Sequence, residues 1–188
     1  MQALVVYESM FGNTRRIADA VAAGLAQHCD VTVREVNAMP EDFADEFELI
    51  VAGGPTHAHS LSRPSSRAEA DTWAKDPARQ LILEPNARGI GIREWLQTLR
   101  PSRQTFCAAF ATRADIAHIL SGDASTGILK RLVKRGLTPA QTPHSFLVSS
   151  DNRLEDDQLE LARAWGAGVG RSARSMRNAS VGSAVGSA

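Results

Sequence analysis

The stretch MQALVVYESMFGNTRRIADAVAAGL, residues 1–25, decides the fold. Residues 3–7 form a continuous apolar run with two valines, the pattern of a strand covered on both faces. Ile17, Val21 and Leu25 recur at four-residue spacing and share one helical face. The connection between them, Ser9-Met10-Phe11-Gly12-Asn13-Thr14, is short and polar. A loop that leaves the carboxyl end of a parallel strand and opens a helix is an anion site. Unpaired backbone N–H groups converge there, and the helix N-terminus adds partial positive charge. Ser9, Asn13 and Thr14 add short hydrogen-bonding side chains, and Gly12 permits a positive φ and close backbone approach. The loop reads as a phosphate cradle.

The rest of the chain repeats the alternation. Residues 31–36 carry valines at alternate positions, as in a half-buried outer strand. Asn37 and Pro40 then predict a short second helix. Residues 49–52 are a buried strand closed by Gly53, Gly54 and Pro55. Residues 58–90, rich in Ser, Arg, Pro and Ala, have no clear period, and Trp73 finds no place there. A helix over residues 93–100 places Trp95, Leu96 and Leu99 on one face. Residues 105–111 read as a fourth strand. A helix with Ile128 and Leu132 follows and ends at Gly136, where a terminating glycine belongs. Residues 146–148 are a fifth strand, and a last helix runs from Glu155 to about Arg174. The reading is one domain over residues 1–177 and a disordered tail over 178–188. Five strands alternating with helices specify an open five-stranded parallel α/β sheet with helices on both faces. With the half-buried strand at an edge, the order is 2-1-3-4-5. That order opens a ligand crevice at the carboxyl ends of strands one and three.

Lys and Arg balance Asp and Glu at 21 each, so charge gives no argument for nucleic acid or an anionic membrane. No apolar stretch reaches the length of a bilayer span, and the two cysteines, Cys29 and Cys107, occur singly. The expectation is a cytoplasmic protein without a disulfide framework. Cys107 and Arg113 have the spacing of a phosphatase loop, but an apolar strand lies between them in place of a glycine-containing cradle. His57 and His59 lack further ligands at metal spacing.

Ser9-x-x-Gly12-x-Thr14 directly after the first strand resembles the phosphate loop of flavodoxins of bacterial type. The resemblance implies noncovalent FMN and electron transfer, with no general acid, base or nucleophile. It assigns Ser9, Met10, Phe11, Gly12, Asn13 and Thr14 to the phosphate. Pro55, Thr56, His57 and Ala58 would lie along one flavin face, and Thr112 and Arg113 along the other. The sequence departs from the pattern in three places. The loop after the third strand has no Trp, Ala111 stands where relatives often carry Asp, and Tyr7 is the only tyrosine. The implied partner is a redox protein or a small-molecule electron acceptor. Two alternatives stay open: an FMN-dependent NAD(P)H or quinone reductase, and a flavodoxin-fold interaction module that has lost flavin.

Overall fold

The computed structural model describes residues 1–40, 45–57, 60–116 and 122–185. The strands are β1 (Gln2–Tyr7), β2 (Asp30–Glu35), β3 (Leu49–His57), β4 (Ser60–Leu61), β5 (Phe106–Ala114), β6 (Thr138–Pro139) and β7 (His144–Val148). The helices are α1 (Asn13–Leu25), α2 (Pro64–Ala74), α3 (Ile92–Thr98), α4 (Ala124–Lys134) and α5 (Gln158–Val185). The sheet runs β2-β1-β3-β5-β6, with β7 beside β5 and β4 folded back on β3. All main pairings are parallel, so the expected 2-1-3-4-5 order holds, with β5 as the fourth strand and β6 with β7 as the fifth.

Period-two alternation builds two cores. Ala3, Val5, Leu49, Val51, Phe106 and Phe110 face α1 and α5, where Ile17, Val21, Leu25 and Val169 meet them. Leu4, Val6, Ile50, Ala52, Cys107 and Ala109 face α3 and α4, against Ile92, Trp95, Leu96, Ile128 and Leu132. Helices therefore cover both faces of the sheet. Both cysteines are free and buried, and burial pushes the Cys107 thiol up to about 12. On one face α1 and α5 come into backbone contact. A Cβ on Gly166 would lie 2.3 Å from the Val21 carbonyl oxygen, and one on Gly24 would lie 2.0 Å from the Arg163 carbonyl oxygen.

Several expected boundaries move. Residues 58–90 are not irregular throughout, because α2 starts at Pro64, a residue suited to a first turn. It buries only Arg67 and Ala70, too narrow a stripe to show in the pattern of apolar residues. The second helix, expected after Asn37 and Pro40, falls largely on residues 41–44, which lie outside the described residues; just before it the chain makes one 3₁₀ turn, Val36–Ala38. The third helix stops at Thr98, two residues before Arg100, whose place ahead of Pro101 disfavours helix. The fourth strand continues through Thr112 and Arg113, because their backbones keep pairing with Phe146 and Leu147. The fifth strand is longer than expected and broken, with prolines at 139 and 143 flanking the gap. The last helix begins at Gln158, since Asp157 holds φ +62°. It continues to Val185, into the stretch expected as a tail, where no proline interrupts propagation.

Candidate functional site

The carboxyl ends of β1, β3, β5 and β7 meet along one edge, at the point where chain order reverses between β1 and β3. The first loop, residues 8–12, is set at this edge by Glu8, whose N–H donates to the Gly53 carbonyl at 3.0 Å. The chain then turns at Gly12, which holds φ +88°. Its N–H donates to Ser9 Oγ at 3.1 Å, and no side chain caps the 13-residue α1. The first-turn N–H groups of α1 therefore point outward with the helix dipole behind them. Thr14 Oγ1 lies 2.8 Å from Thr112 Oγ1 in a buried pair that ties α1 to β5. The Asn13 amide donates to the Asn152 carbonyl at 2.9 Å and to Asn152 Oδ1 at 3.1 Å, so the turn after β7 closes on the loop. Met10 is buried against Ala70 and Ala87, with Phe11 and Leu83 beside it. Its side chain is part of a small core.

Residues 83–87 cross above this loop. The Glu84 N–H donates to the Met10 carbonyl at 2.8 Å. Arg15 Nε donates to Glu84 Oε1 at 3.0 Å, and that oxygen lies 3.2 Å from where a Gly12 Cβ would stand. An ion pair thus sits over the turn.

The second candidate stretch is strand rather than loop. Pro55 pairs with Thr112, while Thr56 and His57 pair antiparallel with Leu61 and Ser60. Thr56 Oγ1 accepts the Ala124 N–H at 3.2 Å, so it helps to start α4. Burial, with the Arg67 charge, holds the His57 imidazole below its usual pKa, and Glu69 opposes this. Ala58 and His59 lie outside the described residues. Thr112 and Arg113 lie in β5 and alternate across it. Thr112 points toward α1, while Arg113 Nη1 donates to the carbonyls of Ala114 and Ile116.

Beneath these stretches lies a charged cluster that no sequence pattern marked. Glu8, 3% exposed, accepts the Ile92 N–H on Oε2 at 2.9 Å. Arg67, 5% exposed, donates through Nη1 to Ser62 Oγ at 3.0 Å and Glu94 Oε2 at 3.1 Å. Gly91 sits in the middle, where a Cβ would lie 2.6 Å from both Glu8 Oε2 and Arg67 Nη1. Burial pushes the Glu8 carboxyl above the ordinary glutamate range, against the hydrogen bonds from Ser62 and Ile92 and the charge of Arg67. The only sequence signal was the position of Glu8 at the head of the Ser9 loop. Its partners lie 54 to 86 residues further on.

The donor set fits a phosphate: an uncapped helix N-terminus, a glycine at positive φ, and the Ser9 and Thr14 hydroxyls. Among the described residues, no group of three or more His, Cys, Asp or Glu side chains is placed to hold a metal, and no helix is long and apolar enough to cross a membrane.

A parallel sheet of this order with such a loop at its reversal point defines a flavodoxin-like domain. Residues 4–66 match the family model described as a flavodoxin domain. No curated protein matches the chain. Among solved structures it is similar to a flavodoxin from the domain Archaea, at 18% identity and TM-score 0.60 over 93% of this chain and 99% of that one. Oxidised Flavodoxin 1 from Bacillus cereus gives 16% identity and TM-score 0.61, covering 90% and 97%. A flavodoxin, WrbA-like protein from Agrobacterium tumefaciens gives 20% and 0.57, covering 93% and 98%. At these identities the likeness establishes the fold. The domain match covers the first loop and the first three strands, the part of the fold that builds the site.

Proposed function

We propose that this chain binds FMN noncovalently at the β1–β3 reversal and passes electrons to a redox protein or a small-molecule acceptor. The observation that carries the reading is the uncapped N-terminus of α1, opened by Gly12 at φ +88° on the carboxyl edge of the sheet. Ser9 and Thr14, with the backbone of residues 10–14, would hold the phosphate. Pro55, Thr56, His57 and Ala58 would flank one side of the ring, and Thr112 and Arg113 the other. When bound, the flavin itself supplies the redox chemistry. The protein's own work is to hold the phosphate, exclude water from the ring and set the charge around it. Arg113 is already folded onto the carbonyls of Ala114 and Ile116, so it delivers a cation at the β5 end without searching for one.

A second reading, a flavodoxin-fold module without flavin, draws on one observation. The Glu84 carboxylate stands over the loop, and the Thr14 and Thr112 hydroxyls already satisfy each other. One experiment separates the two. Purified protein is mixed with FMN or riboflavin, desalted, and its visible absorption recorded. The FMN reading expects flavin bands retained with FMN and largely lost with riboflavin, and Thr14→Val should weaken retention of FMN alone. A colourless protein under all conditions would leave the interaction module as the account. If FMN is held, steady NAD(P)H oxidation with a quinone would favour a reductase over a carrier.

A further inference from the structure

Charge is balanced over the whole chain but segregated within it. Between Asp123 and Asp151 there is no carboxylate, yet Lys130, Arg131, Lys134 and Arg135 all fall in that interval. The structure places Lys130, Arg131 and Lys134 on the C-terminal half of α4 and Arg135 at its C-cap, beside α3. Among the described residues none of them pairs with a carboxylate. Arg135 Nε instead donates to the Leu96 carbonyl at 2.9 Å, and Arg131 Nη1 donates to the Gly127 carbonyl at 2.8 Å. Backbone oxygens therefore hold two guanidinium groups in place while leaving their charge uncompensated. Arg93 lies close enough to Arg131 and Arg63 to feel both, as well as Glu94 and Glu8, and it binds the carbonyls of Leu61 and Ser62 at β4. The uncompensated cations are thus gathered at the C-terminal end of α4, along the α3–α4 seam.

The seam is also a groove of about 760 Å³, and Leu96 and Leu129 line it. Val133 lies in the same groove and is 44% exposed. A helix C-terminus attracts cations through its dipole, which accounts for some of the charge. It does not account for an exposed valine one turn from a leucine between two exposed lysines. Apolar residues at i and i+4 inside a basic rim are the complement of an amphipathic helix whose polar flanks are acidic. We infer that the α3–α4 groove is the docking site for a partner protein that presents an acidic amphipathic helix. The apolar stripe of that helix would meet Leu129 and Val133, and its carboxylates would meet Lys130, Arg131, Lys134 and Arg135. This inference does not depend on flavin, and it gives the chain a partner-facing side distinct from the phosphate loop.

The test titrates a synthetic helical peptide, with leucines at i and i+4 and glutamates on both flanks, into the full-length protein while amide NMR signals are followed. The expected result is saturable shifts at Leu96, Leu129 and Val133, with binding that weakens as salt rises. Lys130→Glu with Lys134→Glu should weaken the peptide by about tenfold or more. Val133→Ser should weaken it without altering the salt dependence. Arg163→Glu with Arg171→Glu, the same change in net charge on exposed positions of α5, should leave affinity within about twofold if the effect is local. Equal loss in both double variants, or shifts elsewhere on the surface, would overturn the proposal. So would tighter binding at this groove of anionic phospholipid vesicles or mixed-sequence duplex DNA than of the peptide. Self-association abolished by the α4 double variant would assign the groove to a second copy instead.

Discussion

The hydroxyls of Thr14 and Thr112 lie 2.8 Å apart, joining the first turn of α1 to the end of β5 across 98 residues of sequence. Both residues are buried, so removing one partner strands the other. Thr112→Val should cost about 1–3 kcal/mol, and Thr112→Ser much less. The double change Thr14→Val with Thr112→Val should be less harmful than the two single costs added. Urea unfolding of the four proteins measures the coupling, and additive losses would mean that the pair contributes nothing beyond its separate members.

Gly166 and Gly168 lie two residues apart on α5 and should respond to alanine with opposite sign. In an exposed helix interior Ala is favoured over Gly by about 1 kcal/mol. At Gly168 the nearest heavy atom to a new Cβ is the movable end of Gln141, 3.3 Å away, so that gain should be largely kept. At Gly166 the new atom would meet the Val21 backbone, with the carbonyl oxygen at 2.3 Å. Separating α1 from α5 should cost more than the propensity returns, about 1–3 kcal/mol net. Thermal midpoints of the two variants check this directly.

The buried Glu8 carboxyl holds its proton to higher pH than a glutamate in the unfolded chain, chiefly because burial disfavours the charge. In that window the folded state binds more protons than the unfolded state, so stability falls as pH rises from the ordinary glutamate range through the raised value. Glu8→Gln should leave stability near pH 4 little changed, flatten the decline above it, and gain relative to wild type at pH 8. Chemical denaturation at stepped pH reads the effect. A variant that loses stability at pH 8 would show that the ionised carboxylate is well paired with Arg67.

Asp123 behaves in the opposite way. Burial acts to raise its carboxyl pKa, but hydrogen bonds from Ser125, Ser145 and Thr126 outweigh it and hold the group below the usual carboxylate range. Its contribution is therefore complete above the unfolded value of about 3.9 and disappears as pH falls through the lowered folded value. It caps α4 by accepting the Ser125 N–H at 2.8 Å. Asp123→Ala should cost about 1–2 kcal/mol near neutral pH and remove part of the acid sensitivity. Asp123→Asn, which keeps one acceptor oxygen, should fall between.

What could be read from the chain were features written in neighbouring residues. The apolar run of β1, the four-residue spacing of α1 and the polar loop between them all sit within 25 positions, and the half-buried β2 announced its own place at the edge. What could not be read depends on distant partners. Nothing near Thr112 and Arg113 shows that β7 will pair with them and carry β5 past its apolar stretch. Helix α2 was hidden because it buries one alanine and one arginine, and that arginine is acceptable inside only because Ser62 and Glu94 meet it. Met10 illustrates the same limit at the site. Its place in the loop was legible, but its burial under Ala70 and Ala87 rests on a segment 60 to 77 residues away.

The crossing of residues 83–87 over the Ser9 loop has a thermodynamic corollary. The Met10 carbonyl is bonded to Glu84, Gly12 to Ser9, and Asn13 to Asn152, so the backbone that would receive an anion is fixed when the chain folds. An arriving phosphate would not have to organise a floppy loop, and the entropy of that ordering would already be charged to folding rather than to binding. Affinity should then be governed by desolvation of the anion and its repulsion by the Glu84 carboxylate. Loosening the crossing segment would weaken a ligand that never touches it.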